Sequence, residues 1–313
     1  MATVVSFINY KGGVGKTTTT YHVGCSLAYH HQKRVLMIDI DPQTNLTFLC
    51  APIEKWEQFK KRTGTIATMY QRFQQRIAID TKRYTWTEPI QIGNRRLQKV
   101  DLIPCDIDLL GEDLGGAAVS GSFPTLELLR RNSKEFLRER RFLVTAVKEV
   151  SDKYDYILID CPPNLYLMTQ NALIASDWYV VTAIPDHLST IGLSILQKKV
   201  KKIGDIITSA ETFASEGGAG LKMAKFGGII FVKLRSGGDM ITNTHLNTMA
   251  RVRTLAGVGP NGCFSDYTTE LIGYGEAAEN SLPVWLYDST NAKRATKLRQ
   301  YEKITDEFLR RFK

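Results

Sequence analysis

The stretch Lys11-Gly12-Gly13-Val14-Gly15-Lys16-Thr17-Thr18 decides the fold of this chain. It follows an apolar run at residues 3–8 that predicts a buried strand, and it leads into a stretch with the pattern of a helix. Glycines between a strand and a helix let backbone N–H groups approach phosphate oxygens, because no Cβ stands in the way. The segment therefore predicts a phosphate-binding loop, in which Lys16 reaches the β- and γ-phosphates and the Thr17 hydroxyl ligates Mg²⁺.

A second lysine at the start of the loop narrows the class of protein. The common loop opens with a glycine, whereas this chain has Tyr10 there, followed by Lys11. This arrangement resembles the deviant Walker A box, K-G-G-x-G-K-S/T-S/T, of the ParA/MinD family of ATPases. The resemblance implies that the ligand is ATP and that the ATP state is a homodimer. In that dimer Lys11 of one subunit reaches the ATP of the other, where a cation stabilises charge on the transferring phosphoryl group.

Paired carboxylates end the second apolar strand, RVLMIDI at residues 34–40. Asp39 and Asp41 stand two residues apart, so on a strand their side chains point the same way, towards the crevice at the carboxyl end of an open α/β sheet. The segment resembles the D-x-D-P-Q-G-N motif of ParA proteins, with Thr44 in place of the glycine. The resemblance implies that Asp39 contacts Mg²⁺ or its water shell, and that Asp41 positions or activates the attacking water.

A third apolar strand, YILID at residues 156–160, predicts a Walker B strand whose Asp160 holds Mg²⁺ through a water. The turn at 161–163 resembles the D-x-P-P switch of the same family, which senses the γ-phosphate. In relatives the turn after the strand at 178–184 lies near the nucleotide. The resemblance thus implies catalytic roles for Lys11, Lys16 and Asp41, metal binding by Thr17, Asp39 and Asp160, and nucleotide binding by Lys11, Gly12, Gly13, Val14, Gly15, Lys16, Thr17, Thr18 and Pro185.

Strands and helices alternate along the chain, which predicts an α/β fold with a doubly wound, mostly parallel twisted sheet flanked by helices. Residues 1–313 are interpreted as a single P-loop ATPase domain. Charged and aromatic residues at 54–98 predict a surface insertion with a short helix and a hairpin, and small residues around 209–220 predict a flexible loop. Val232-Lys233-Leu234-Arg235 stands where the family has Thr and then Arg near adenine, so no adenine contact is assigned.

The composition, 43% apolar and 23% charged residues, suits a soluble globular protein with a substantial core. The N-terminus leads directly into a strand, which predicts no signal peptide, and no apolar run approaches the roughly 20 residues that a spanning helix needs. The five cysteines form no CxxC pair and fit the reduced thiols of a cytoplasmic protein. The formal net charge of +9 favours a polyanionic partner, of which DNA is the leading candidate.

Basic residues become more frequent towards the C-terminus, and relatives bind DNA non-specifically through such residues. Two half-patches on a dimer double the phosphates that are neutralised, and affinity rises steeply with that number. The resemblance therefore implies binding of non-specific duplex DNA by the ATP dimer, association with the nucleoid, and an adaptor protein, ParB-like or cargo-specific, that stimulates hydrolysis. The residues chosen for DNA contact are Arg235, Arg251, Arg253, Lys293, Arg294, Lys297 and Arg299. The loop begins close to the N-terminus, so no preceding operator-binding helix-turn-helix domain is expected.

A MinD-like, membrane-associated ATPase that positions the division site is the main alternative. Apolar residues at 301, 304, 308 and 312 form an amphipathic stripe, which fits a membrane anchor or docking on the core. Glu302, Asp306 and Glu307 would be repelled by anionic lipid, which favours docking. An iron–sulfur ATPase similar to the nitrogenase iron protein would need cluster cysteines, and Cys105 and Cys161 do not stand at that family's positions. A degenerate nucleotide-binding scaffold is disfavoured, because every phosphate and Mg²⁺ residue is present.

Overall fold

A computed structural model of the chain describes residues 1–114, 125–214, 220–237, 240–255, 257–259, 261–287 and 298–313, with 112–114, 187–190 and 237 described by their backbone alone. The strands are β1 (Thr3–Ile8), β2 (Val35–Asp39), β3 (Trp86–Thr87), β4 (Gln91–Ile92), β5 (Arg95–Arg96), β6 (Val100–Ile103), β7 (Tyr156–Asp160), β8 (Trp178–Ala183), β9 (Lys225–Phe231), β10 (Ser236–Gly237) and β11 (Met240–Ile241).

Helices lie between most of these strands. They are α1 (Lys16–Tyr29), α2 (Asn45–Cys50), α3 (Ile53–Thr63), α4 (Ile66–Gln74), α5 (Leu109–Leu114), α6 (Leu126–Glu139), α7 (Phe142–Val150), α8 (Leu167–Ala175), α9 (His187–Ala214), α10 (Asn243–Arg253), α11 (Ile272–Glu279), α12 (Val284–Tyr287) and a C-terminal helix (Gln300–Arg311). A 3-10 turn, Ser151–Lys153, follows α7.

One seven-stranded sheet lies at the centre of the described structure, in the order β3-β6-β2-β7-β1-β8-β9. The short edge strand β3 runs antiparallel to β6, and the other neighbouring strands run parallel. Strands β2 and β7 are buried along their whole length, as expected where helices cover both faces of a parallel sheet. The arrangement confirms the predicted doubly wound α/β fold.

The register of the central strands brings the three sequence motifs to one edge of the sheet. Asp39, the last residue of β2, pairs directly with Asp160, the last residue of β7. Strand β1 pairs with the other side of β7, and Phe7 lies opposite Asp160. Because the strands are parallel, their carboxyl ends meet at this edge, where α/β proteins of this type bind ligands.

The C-terminal helix packs on the sheet through its apolar stripe. Tyr301, Ile304, Phe308 and Phe312 are at most 2% exposed, and the Phe308 ring stacks on the Phe7 ring of β1 at 6.3 Å. The prediction that this stripe docks on the core is therefore confirmed. In the described parts of the chain, every helix is too short or too polar to cross a membrane.

Two predicted segments differ from the structure. Helix α9 continues to Ala214, so the loop predicted around 209–220 cannot begin at Ser209, and 215–219 lie outside the described residues. The 54–98 segment holds α3, α4, β3 and the predicted hairpin, β4 with β5. It is not only a surface excursion, because Met69 and Tyr70 of α4 are fully buried in the main core. The interpretation as a surface segment rested on its charged residues and overlooked the apolar residues of α4.

Candidate functional site

The phosphate-binding loop leaves β1 at the carboxyl edge of the sheet and ends where α1 begins. Gly13 (φ +73°) and Gly15 (φ +75°) adopt the left-handed backbone conformation, which glycine reaches without steric cost. A Cβ on Gly15 would lie 3.1 Å from Cγ2 of Val232, so the loop is pressed against the segment that follows β9. The first N–H groups of α1 have no acceptor within the helix and are available to an anion at this end.

Lys16 and Thr17 lie at the start of α1, beside the carboxylate that ends β7. The Thr17 hydroxyl donates a hydrogen bond to Asp160 Oδ2 (2.7 Å). Lys16 is 6% exposed, and burial lowers the pKa of its ammonium, although the charges of Asp160 and Asp41 oppose that shift. The structure thus brings together the predicted phosphate-binding lysine, magnesium-binding threonine and Walker B aspartate.

Asp39 is fully buried and both of its carboxylate oxygens accept hydrogen bonds. Oδ1 accepts from the Asp41 N–H (3.1 Å), and Oδ2 accepts from the N–H (2.9 Å) and hydroxyl (2.7 Å) of Thr47. Burial raises the pKa of Asp39 to about 7, although the Thr47 bonds oppose the shift. In this structure Asp39 holds the backbone of the loop that carries Asp41, and its contact with Mg²⁺ stays a prediction.

Asp41 lies in the loop after β2, where it accepts a hydrogen bond from the Gln43 N–H (3.0 Å). Its side chain is 5% exposed, and burial raises the pKa of its carboxyl, against the opposing effects of that bond and of the Lys16 charge. A buried carboxylate beside a phosphate site is the type of group that accepts a proton from a reacting water.

A cavity of about 380 Å³ opens over the loop, within the range of about 300–1,000 Å³ that is typical of small-molecule sites. It is lined by Gly12, Gly13, Val14, Gly15, Lys16, Thr17, Thr18, Asp41, Gln43, Asn45, Phe48, Leu49, Pro163, Lys233 and Ala278. Pro185 is buried and is not among the described residues that line the cavity, so its nucleotide contact stays a prediction.

The oxygen ligands near this cavity fit a magnesium ion. Mg²⁺ prefers oxygen donors and usually takes one or two carboxylates together with substrate phosphates, and the Thr17 hydroxyl lies within 2.7 Å of Asp160 Oδ2. Burial and the neighbouring Asp39 charge raise the pKa of Asp160 well above its ordinary value, and a bound cation would counteract both effects. Within the described residues, no group of three or more His, Cys, Asp or Glu side chains is placed to hold a metal ion.

Lys11 occupies a different environment from Lys16. Its ammonium pairs with Asp186 Oδ2 (2.8 Å), just before α9, and the two side chains are 39% and 37% exposed. Its N–H donates to Asn9 Oδ1 (3.0 Å). Tyr10 packs on Gly192 of α9, where a Cβ would overlap the tyrosine hydroxyl. The start of the loop therefore lies against α9 of its own subunit, and the reach of Lys11 into a partner's site stays a prediction.

Three residues at this edge were missed by sequence reasoning. Thr47 holds Asp39, Asp186 pairs with Lys11, and Lys233 lines the cavity. Lys233 carried a signal, since it departs from the family pattern near adenine. The hydroxyl of Thr47 and the carboxylate of Asp186 carried none, because their contacts depend on how loops from different strands meet.

The residues predicted to bind DNA are partly described. Arg235 and Arg299 pair with Glu270 (3.6 Å) and Glu302 (3.0 Å), and Arg251 and Arg253 end α10. The other three residues chosen for DNA contact, Lys293, Arg294 and Lys297, lie outside the described residues. The prediction of a C-terminal DNA surface therefore stays a prediction.

A further basic surface lies on α9. Four of its exposed lysines follow one another closely and have no ion pair among the described residues. They are Lys198, Lys199, Lys201 and Lys202, and together they form the α9 lysine group.

Comparison with known proteins gives matches along most of the chain. Residues 2–211 match the AAA_31 family model, described as an AAA domain. The sporulation initiation inhibitor protein Soj of Bacillus subtilis is 34% identical over 203 residues, which are 65% of this chain and 66% of that protein. The chromosome-partitioning ATPase Soj of Treponema pallidum is 27% identical over 311 residues, 99% of this chain and 98% of that protein. A ParA family protein of Chlamydia pneumoniae is 32% identical over 197 residues, which are 60% of this chain and 61% of that protein. The chain thus spans less than two thirds of the length of this relative and of the Bacillus subtilis protein.

Solved structures with the same fold cover nearly the whole chain. Apo McdA from Cyanothece has a TM-score of 0.69 at 18% identity and covers 99% of this chain and 100% of that one. A plasmid partition protein from Borrelia burgdorferi, bound to AMPPNP, has a TM-score of 0.63 at 18% identity and covers 99% of each chain. At these identities the similarity establishes the fold.

Proposed function

Because the chain belongs to the ParA-type branch of the ParA/MinD family of ATPases, we propose that it is an Mg²⁺-dependent ATP hydrolase that segregates or positions a cargo. In this proposal it dimerises when it binds ATP, binds non-specific duplex DNA as that dimer, and hydrolyses ATP when an adaptor protein stimulates it. The cargo is a plasmid, a chromosome or a protein organelle.

The proposal is carried by one observation: Lys16, Thr17 and Asp41 line one cavity, and the buried Asp160 lies beside it, bonded to Thr17. They come from the loop after β1, the loop after β2 and the end of β7, and the parallel register brings them to one edge. Their chemistry is that of phosphoryl transfer, which needs a cation for the phosphates, oxygen ligands for Mg²⁺ and a group that orients water.

Each of these residues has a separate role in hydrolysis. Lys16 and the loop N–H groups bind the β- and γ-phosphates, while Thr17 and Asp160 would hold Mg²⁺, which neutralises phosphate charge when bound. Asp41 orients the attacking water and accepts its proton. Burial raises the Asp41 pKa and so makes the carboxylate a stronger base.

Lys11 links hydrolysis to the dimer. In the free subunit its ammonium pairs with Asp186, and both side chains are more than a third exposed. An exposed pair of this kind contributes about 0–1 kcal/mol, so its release costs little when a partner's phosphates offer a stronger contact. ATP then joins two subunits, and hydrolysis releases them.

DNA binding is the step in this proposal with the least direct support. The net charge of +9 and the exposed α9 lysine group favour it. Arg251 and Arg253 add two positive charges to the neighbouring α10. A surface of this kind binds phosphates without reading bases, so affinity should fall steeply as salt rises.

The test measures dimerisation and binding of a duplex of mixed sequence, with ATP–Mg²⁺ and with ADP, over a salt series. We expect an ATP-dependent dimer and salt-sensitive binding in the ATP state alone. Charge reversal at Lys198 and Lys201 should weaken DNA binding without changing dimerisation. The matched control reverses Lys55 and Lys61, two exposed lysines of α3. Absence of DNA binding in both nucleotide states would contradict the DNA step, and vesicles of anionic lipid then test the MinD-like alternative.

A further inference from the structure

Lys233 is a cation at the nucleotide site that neither the loop motif nor the carboxylate motifs include. It follows β9, lines the cavity, and donates a hydrogen bond from Nζ to the Gly13 carbonyl (3.0 Å). Its side chain is exposed, and that carbonyl is the one partner of its ammonium within the described residues. An ammonium has three N–H donors, so two remain for a ligand in the cavity.

The backbone at this position is held in an unfavourable conformation. Lys233 has φ +55°, in the left-handed region that residues with a Cβ seldom adopt. Its N–H donates to Thr268 Oγ1 (3.2 Å), and the next residue, Leu234, donates to the Thr268 carbonyl (2.9 Å). Strain that neighbouring contacts maintain is typical of functional positions. Here the strained backbone carries the side chain that contacts the phosphate-binding loop.

The bond to Gly13 also orients the loop. A peptide unit is planar and trans, so its C=O and N–H point in opposite directions. With the Gly13 carbonyl directed at Lys233, the N–H of Val14 points away from that ammonium. Lys233 therefore fixes one peptide of the loop whose N–H groups bind phosphate. The preceding residue, Val232, contacts the same loop, because it packs against Gly15.

We propose that Lys233 is a nucleotide-binding residue that acts within its own subunit, by orienting the Gly13 peptide and by adding a positive charge to the phosphate end of the cavity. The proposal rests on the proposed ATPase function, and it adds a third lysine to a site with one buried lysine and one lysine supplied by the partner. Because ADP binding needs no second subunit, the role of Lys233 can be measured apart from dimerisation.

The experiment measures Kd for ADP–Mg²⁺ and for adenosine by calorimetry on the full chain, at about 50 and 200 mM salt. Lys233→Met keeps an unbranched side chain one atom shorter than that of lysine and removes the ammonium with its charge. We expect its Kd for ADP to rise about tenfold, which is the effect of losing one hydrogen bond to a charged group. Adenosine affinity should change less than twofold, and the difference for ADP should shrink at the higher salt. Lys233→Arg should recover part of the loss.

The matched control is Lys225→Met. Lys225 begins the same strand and lies over the Trp178 ring (5.6 Å), about 20 Å from the site along β9. Its Kd for ADP should stay within twofold of the unmutated protein. Lys233→Gly separates binding from folding, because glycine relieves the positive φ. Its Tm should be equal or higher, while its ADP affinity should be as weak as that of Lys233→Met.

An ADP affinity of Lys233→Met within twofold of the unmutated protein would overturn the proposal, provided that Lys16→Ala abolishes binding. Two further results would overturn it. One is a fall in the Tm of Lys233→Met large enough for unfolding to explain its weaker ADP binding. The other is a loss of adenosine affinity in this variant as large as its loss of ADP affinity. If Lys16→Ala also left ADP binding unchanged, the nucleotide site itself would be wrong, and the proposed function would fail together with this inference.

Discussion

Lys16 and Lys11 belong to the same loop, yet their surroundings differ. Lys16 is 6% exposed and lies on a helix that is bonded to the C-terminal part of the chain, through Thr19 to Tyr301 (3.0 Å) and Tyr21 to the Ser281 carbonyl (3.2 Å). The side chain of Lys11 is 39% exposed, and within the described residues its ammonium makes one ion pair, with Asp186. The comparison indicates that the part of the loop that binds phosphate is fixed before the ligand arrives, whereas the part proposed to reach a partner is released at little cost.

The first prediction tests the part of the loop that binds phosphate. Lys16→Ala should raise the Kd for ATP by at least about a hundredfold, because it removes a buried cation from the phosphate site. Equilibrium binding of ATP–Mg²⁺ measures this. Lys82→Ala, an exposed lysine between α4 and β3, is the control and should bind as the unmutated chain does. Undiminished ATP affinity in Lys16→Ala would remove the basis of the site.

The second prediction tests the start of the loop, where Lys11 lies. Lys11→Ala should still bind ATP but remain a monomer, and its rate of hydrolysis should fall by about a thousandfold, as for a cation supplied in trans to phosphoryl transfer. Light scattering with ATP–Mg²⁺ and a single-turnover assay measure the two effects. An ATP dimer of normal strength in this variant would show that Lys11 does not act on a partner's nucleotide.

The sequence predicted the surroundings of Lys16 better than those of Lys11. The motifs around Lys16 and Asp160 lie at the ends of apolar strands, so chain direction and sheet geometry alone bring them together. Asp186 and Lys233 meet the loop only through the paths of the turns after β8 and β9, which no local pattern specifies. The end of α9 was missed for a related reason, because the small residues there resemble a loop until packing on α6 and α8 holds them helical.

A third prediction concerns Asp41, at the same cavity, and separates nucleotide binding from hydrolysis. Asp41→Ala should bind ATP and Mg²⁺ and form a lasting dimer, while hydrolysis falls about a hundredfold through loss of the group that orients water. Dimer lifetime after ATP removal and single-turnover hydrolysis are the measurements. Asp41→Asn, which keeps the shape but not the negative charge, should show the same slow hydrolysis. Normal turnover in either variant would exclude Asp41 from this role.

A fourth prediction concerns His22, which attaches α1 to the C-terminal part of the chain. The Nε2 of His22 accepts a hydrogen bond from the Val284 N–H (3.2 Å), so Nδ1 carries the proton and donates to the Thr18 carbonyl (2.7 Å). The His22 ring stacks on Tyr301 at 4.7 Å, with Tyr21, Tyr274 and Trp285 at its edges. Burial lowers the His22 pKa to about 4, so the folded chain keeps it neutral where the unfolded chain protonates it.

Protonation of the unfolded state should therefore reduce stability as pH falls from about 6.5 to 4, by about 1.4 kcal/mol per pH unit. His22→Gln should remove about 2 kcal/mol of the loss between pH 7 and 5, measured by urea unfolding at each pH. His31→Gln, which removes the histidine that pairs with Asp306 (3.2 Å), is the comparison variant. An equal pH dependence in His22→Gln and the unmutated chain would contradict the neutral, anchored histidine.

The smallest expected effect sharpens the contrast between the two lysines. Asp186→Asn removes the exposed partner of Lys11 and should lower the free energy of unfolding by less than about 1 kcal/mol. If the pair only retains Lys11 in the free subunit, its loss should favour the ATP dimer by up to about fivefold, since 1 kcal/mol corresponds to that factor. Asp155→Asn breaks a similarly exposed pair with Arg34 (2.9 Å), remote from the loop, and should leave dimerisation unchanged. Loss of the ATP dimer in Asp186→Asn would mean that this carboxylate is needed in the assembled state. The start of the loop would then be held in place as firmly as the phosphate site. Lys11 and Lys16 would differ only in how exposed their side chains are.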